Sequence, residues 1–115
     1  MRVVADTNIV VSGLLWRGAP RSVLDAARRS QIELFTSADL LAELEDVLRR
    51  EKFASRLVTA ESAPRELVEG YASLATPVSP LAIPAVILDD PDDDAVLACA
   101  LAVQAEAIVT ATLTF

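Results

Sequence analysis

Apolar and polar positions along this chain fall into short blocks that predict strands alternating with helices. Arg2-Val3-Val4-Ala5 is a β-branched run that stops at Asp6-Thr7-Asn8, the pattern of a buried strand running into a polar loop. From Pro20 to about Ser30, Val23, Leu24, Ala26 and Ala27 precede Arg28-Arg29, which predicts a helix with cations at its C-terminal end. Ile32 to Phe35 predicts a second short strand. Ser37 then opens the strongest helix, in which Leu40, Leu41, Leu44, Val47 and Leu48 share one stripe and Arg49-Arg50 suit the end. From Glu51 to Thr76 the periodicity is helical but weaker, with Leu67, Val68, Tyr71 and Leu74 forming a second amphipathic stretch after Pro64. Pro77 to Pro84 reads as a connection. Ala85-Val86-Ile87-Leu88 predicts a buried strand, Asp89 to Asp94 an acidic loop, Ala95 to Glu106 a nearly all-round apolar helix, and Ala107-Ile108-Val109 a last strand. Such alternation implies parallel βαβ units and a three-layer α/β/α sandwich around a short parallel sheet, with ligands at the carboxyl ends of the strands.

With 115 residues, 12.3 kDa and 53% hydrophobic content, residues 1–115 are expected to form a single domain. The chain has no histidine, which removes histidine-based acid/base catalysis, the usual nucleophile triads and histidine zinc sites. Chemistry must therefore come from carboxylates, hydroxyls or the backbone. A lone Cys99, set in the apolar Ala95 helix and read as core, excludes an internal disulfide framework. No signal-peptide pattern is present, and the longest uncharged apolar run is about half a membrane span, so a cytoplasmic location is expected. The net charge of −7 argues against binding nucleic acid through a uniformly positive surface.

Three acidic features fall where this architecture makes them converge: Asp6 after the first strand, Glu43 on the strongest helix, and the Asp89-Asp90-Pro91-Asp92-Asp93-Asp94 cluster. Each has a plain structural role available. Asp6 can cap the turn that follows it. Glu43 lies at the border of the leucine stripe, about 100° from its centre, but Glu45 occupies the other border, so periodicity does not choose between them. One aspartate of the cluster can cap the Ala95 helix, yet five in six residues exceed that need. Two carboxylates about 6 Å apart repel by roughly 0.7 kcal/mol in water and more in a cleft, so converging acids favour a bound cation. Oxygen-only ligands select a hard metal, Mg²⁺ or Mn²⁺, which can bridge a phosphodiester to an acidic protein and activate water.

Several runs resemble the PIN-domain family: Asp6-Thr7-Asn8-Ile9-Val10-Val11-Ser12-Gly13-Leu14-Leu15, Gly18-Ala19-Pro20, Ser37-Ala38-Asp39-Leu40-Leu41-Ala42-Glu43-Leu44, Val47-Leu48-Arg49-Arg50-Glu51-Lys52-Phe53 and Asp90-Pro91-Asp92-Asp93-Asp94-Ala95-Val96-Leu97-Ala98-Cys99-Ala100. More narrowly they are similar to the toxin components of type II toxin–antitoxin systems, the VapC-like ribonucleases. The resemblance implies a metal-dependent endoribonuclease in which Asp6, Glu43 and Asp94 are the catalytic, metal-binding acids. It favours Glu43 over Glu45. It also implies that Asn8, with Thr7, Ser12 and Asp92, supports the acids, and that the partners are RNA, a cognate antitoxin and a second copy in a homodimer. Ordinary helix capping is the alternative for Thr7, Asn8 and Ser12.

The ending departs from the family pattern. After Ile108-Val109-Thr110 the family continues Gly-Asp-x-Asp and a further strand, whereas this chain reads Ala111-Thr112-Leu113-Thr114-Phe115. Thr112 stands where a fourth acid is expected, and the domain is expected to be C-terminally shortened, its last strand missing and its activity impaired. The codons GGC GAC CCT GAC CTT T encode Gly-Asp-Pro-Asp-Leu, and one base later they encode Ala-Thr-Leu-Thr-Phe. A shift of reading frame is one account of this ending; engineering and natural divergence are the others.

Charge is unevenly spread: residues 1–30 carry five arginines against Asp6 and Asp25, a local +3, and residues 71–115 carry six acids and no base. Arg17, Arg21 and the Arg49-Arg50-Lys52-Arg56 group are candidate RNA phosphate contacts, with solvated helix ends as the plainer role. Trp16 reads as a loop anchor or dimer contact before a base-stacking platform. An aspartyl-nucleophile phosphatase needs an acid where Asn8 stands, a phosphoacceptor domain needs a lysine after Lys52, and three glycines make no phosphate loop. The remaining rival is a non-catalytic PIN-domain remnant that only dimerises or binds an antitoxin.

Overall fold

The computed structural model describes residues 1–78 and the backbone of 107–109. Within them a parallel sheet of four strands has the order β3-β2-β1-β4, formed by β1 (Arg2–Ala5), β2 (Glu33–Ser37), β3 (Thr76–Val78) and β4 (Ala107–Val109). Strand β1 pairs with β2 on one side, Val3 opposite Leu34, and with β4 on the other, Val4 opposite Ile108. Paired on both edges, this strand buries Val3, Val4 and Ala5 alike and shows no polar side, as central strands of parallel sheets do.

The helices are α1 (Thr7–Leu15), α2 (Ala19–Arg28), α3 (Ala38–Leu48), α4 (Ala54–Ala60) and α5 (Pro64–Leu74), with a 3₁₀ turn at Glu51–Phe53. The crossovers β1-α1-α2-β2 and β2-α3-α4-α5-β3 step in the same direction across the sheet. Right-handed connections therefore place both sets of helices on one face. There α1 packs on α2 and α3, and α3 packs on α5. The core between them joins Val3, Ala5 and Leu34 of the sheet to Ile9, Val10, Leu24, Leu44, Leu48, Phe53 and Tyr71 of the helices and turns. Helix α3 buries Leu40, Leu44, Val47 and Leu48, the expected stripe, with Leu41 only half-buried at its margin.

Three expectations are corrected. The chain does not enter a polar loop at Asp6: α1 begins at Thr7. Its β-branched Val10 and Val11 disfavour helix locally, but burial of Ile9, Val10, Val11 and Leu15 overrides that propensity. The connection expected from Pro77 begins instead inside β3, where Pro77 stands opposite Thr36. Strand β3 ends the sheet order on its side, so a residue lacking an N–H is tolerated there. The second strand also runs to Ser37 rather than ending at Phe35. The predicted strand at Ala85-Val86-Ile87-Leu88, the helix from Ala95 to Glu106 and the shortened ending lie outside the described residues.

Helices α1 and α2 touch where one of them lacks a side chain. A Cβ on Gly13 would lie 2.8 Å from Leu24 Cδ1 and 2.9 Å from the Pro20 carbonyl oxygen. Because the second obstacle is backbone, Gly13→Ala is expected to lower the unfolding free energy by about 1–3 kcal/mol in urea titrations. An unchanged midpoint would show that the α1–α2 hairpin can open at no cost.

Candidate active site

The sheet order turns back at β1. From β1 the chain proceeds through β2 to β3 on one side, and β4 lies on the other. In open α/β sheets such a switch point leaves a crevice at the carboxyl ends of the strands. Asp6 is the residue that follows β1 there. It is half-buried, extended (φ −74°, ψ 167°), and its Oδ1 accepts a 2.9 Å hydrogen bond from the Ile9 amide, capping α1. The capping role is thus real, and it fixes the carboxylate's orientation. Among the other candidates, Thr7 is buried, and Asn8 and Ser12 are half-buried on α1; the described N-cap bond belongs to Asp6, not to any of these three.

The neighbouring strand is built in the same way. Ser37 is both the last residue of β2 and the N-cap of α3, its Oγ accepting from the Leu40 amide at 3.2 Å. Helix α3 therefore starts at the same sheet edge as α1, packs against it, and carries half-buried Glu43. A narrow crevice between them is lined by Ala5, Thr7, Val10, Thr36, Leu40, Leu44 and Tyr71. Asp6 stands between two of these residues in the chain, and Glu43 precedes a third. Glu45, which periodicity left equivalent to Glu43, is turned to Arg49 in a surface ion pair of 3.7 Å. Thr36 and Tyr71 had no chemical signal in the sequence; both enter the crevice only through strand register and helix packing.

Asp92, Asp94 and the rest of the acidic cluster lie outside the described residues. Among the described residues no group of three acids, histidines or cysteines forms a metal cluster. Asp6 and Glu43 occupy adjoining elements of one edge, and the third expected acid is not among the described residues.

The candidate cations separate into two groups. Arg21 and Arg56 are used by the fold: Arg21 Nε donates to the Gly13 carbonyl at 3.2 Å, and Arg56 Nη2 to the Leu15 carbonyl at 2.7 Å. Both thus satisfy carbonyls at the C-terminal end of α1 and oppose its negative dipole end. Arg56 also lies 4.8 Å from the centre of the Trp16 ring, which meets buried Phe53 edge-on at 6.1 Å. Trp16 is therefore a loop anchor. Arg17, Arg49, Arg50 and Lys52 are exposed, and Arg49 is paired with Glu45.

A family model for the PIN domain matches residues 2–112. The chain belongs to the PIN-domain family. No curated protein and no solved structure matches it. PIN domains are typically nucleases that hydrolyse nucleic acid and generally use divalent metal ions. In this PIN domain no helix among the described residues is long and apolar enough to cross a membrane.

Because asparagine caps a helix about as well as aspartate, Asp6→Asn is expected to unfold within about 0.5 kcal/mol of the parent, whereas Asp6→Ala should lose about 1 kcal/mol. Equal losses in urea denaturation would mean that the charge, not the cap bond to Ile9, anchors the start of α1.

Proposed function

We propose that this PIN domain is a metal-dependent endoribonuclease acting as the toxin of a type II toxin–antitoxin system, with Asp6, Glu43 and Asp94 holding Mg²⁺ or Mn²⁺. The observation that carries the reading is Asp6 at the switch point, its carboxylate oriented by the Ile9 amide, beside the helix bearing half-buried Glu43. Both are oxygen donors, the chemistry a hard divalent cation requires. When bound, such a cation activates water and neutralises charge on the phosphodiester.

The chain's own contribution is orientation. Asp6 is held by its cap bond, and Glu43 by a helix whose leucine stripe is buried. Thr7, Asn8, Ser12 and Asp92 support the acids. The crevice beside Asp6, lined by Thr7, Thr36 and Tyr71 among apolar residues, is too narrow to admit a base, so substrate would approach from the sheet edge. RNA as the substrate, an antitoxin as protein partner, a homodimer and a cytoplasmic location belong to the same proposal; they rest on the resemblance of the Asp6, Ser37 and Asp90 runs to toxin nucleases. Thr112, a neutral hydroxyl where that family carries a fourth acid, makes weakened activity part of the reading.

The test is cleavage of labelled single-stranded RNA, with matched DNA alongside, in Mn²⁺ and in EDTA. RNA should be cut only with Mn²⁺, and Asp6→Asn, Glu43→Gln and Asp94→Asn should each lower the rate at least about 100-fold. Cleavage that persists in EDTA or in Asp6→Asn contradicts the assignment. Absence of all cleavage in a chain that still dimerises or binds an antitoxin would identify a non-catalytic remnant.

A further inference from the structure

The stack of Arg56 on Trp16 and of Trp16 on Phe53 joins two distant stretches of chain at one corner. It brings the end of α1, with Arg17, beside the turn that carries Arg50 and Lys52. The Phe53 amide closes that turn by donating to the Arg50 carbonyl at 3.0 Å. Most other guanidinium groups have work within the fold. Arg28 pairs with Asp25, Arg49 with Glu45 and Arg65 with Glu69, while Arg21 and Arg56 hold backbone carbonyls. Arg17 and Arg50 are exposed, and neither side chain makes a hydrogen bond or ion pair among the described residues. Arg29, at the far end of α2, is exposed in the same way.

This corner is not at the acids. Asp6 caps the start of α1, which has nine residues, so Arg17 beyond its end is displaced by about 13 Å along the helix axis from Asp6. Helix α3 likewise leads from Glu43 towards Arg49 and Arg50 over roughly 9 Å. Their helices thus set both arginines back from Asp6 and Glu43 along the fold. They suit phosphates further along the same strand, since an extended single strand offers a negative charge at every nucleotide.

We infer that Arg17 and Arg50 form a flanking phosphate-binding corner that holds single-stranded RNA several nucleotides from the scissile bond and makes productive binding depend on substrate length. The inference rests on the ribonuclease reading and narrows the candidate RNA contacts from Arg17, Arg21, Arg49, Arg50, Lys52 and Arg56 to Arg17 and Arg50, the Lys52 ammonium being 5.5 Å from the centre of the Phe53 ring. The neighbouring Glu45, Asp46 and Glu51 limit the corner to a few contacts rather than a broad basic face.

The test is the salt dependence of binding of labelled oligoribonucleotides of roughly 12 and about three nucleotides, with Ca²⁺ replacing Mn²⁺ to suppress hydrolysis. Each phosphate contact to a single strand contributes about 0.7 to the slope of log K against log salt, so Arg17→Gln with Arg50→Gln should flatten the long-oligomer slope by about 1.4. The short oligomer should show no change, and Arg29→Gln should leave both slopes as they were. Circular dichroism of these surface variants should match the parent. A long-oligomer slope that is retained, an equal effect on both oligomers, or an equal effect of Arg29→Gln overturns the inference. If the parent binds and cuts RNA while the slope is retained, only the corner fails; if the parent binds no RNA, the ribonuclease reading fails with it. A retained slope with lost binding to polyglutamate would assign the corner to an acidic protein and overturn it as well.

Discussion

The bond from the Ile9 amide to the Asp6 carboxylate governs much of what surrounds it. It ends the central strand, starts α1 and sets the direction in which that helix leaves the sheet. Strand β1 is paired on both sides, so it cannot shift register without breaking two ladders. A carboxylate placed one residue beyond such a strand is held by the whole sheet. The same residue that completes the helix cap is thereby presented at the one edge where the strand order reverses. Capping and cation binding are compatible roles for Asp6 because an ionised carboxylate offers about four lone-pair sites, so accepting from the Ile9 amide does not by itself preclude a further ligand.

The second organising constraint is the close contact of α1 and α2 at Gly13 and the cationic closure of the end of α1. Arg21 and Arg56 reach carbonyls that the helix cannot satisfy internally. Trp16 and Phe53 then lock this end to the turn after α3. Asp6 thus stands at the start of α1 and the Arg21 and Arg56 cations at its end, each where the helix dipole favours it. The formal charge of −7 is for this reason a poor guide to local potential: exposed Arg17 and Arg50 lie near the end of α1 opposite to Asp6.

Strands β1 and β2 and helix α3 were legible in the sequence, because Val3-Val4 is a short β-branched run bounded by polar residues and the Leu40-Leu44-Val47-Leu48 stripe has a helical period that few alternatives share. Helix α1 was not. Its residues are apolar on most sides and β-branched at Val10 and Val11, so they look like strand or loop until the surrounding core is known. Strand β3 was hidden by Pro77, a residue that marks a break in isolation but is allowed on an outer strand. At the site, helical periodicity treats Glu43 and Glu45 alike, and the 3.7 Å pair of Glu45 with Arg49 depends on a neighbour one turn on that the period of the leucine stripe does not reveal. The roles of Arg21 and Arg56 were illegible for a different reason: each is fixed by a carbonyl on another element, and Arg56 lies 41 residues from its acceptor.

We propose that Asp6 and Glu43 contribute to one divalent-cation site at the carboxyl edge of the sheet. Calorimetric titration of the intact chain with Mn²⁺ separates this from independent roles when the parent is compared with Asp6→Asn, Glu43→Gln and Glu45→Gln. The parent and Glu45→Gln should bind the ion alike, and the other two should lose at least about tenfold in affinity while remaining folded. Equal binding by the parent, Asp6→Asn and Glu43→Gln would contradict it.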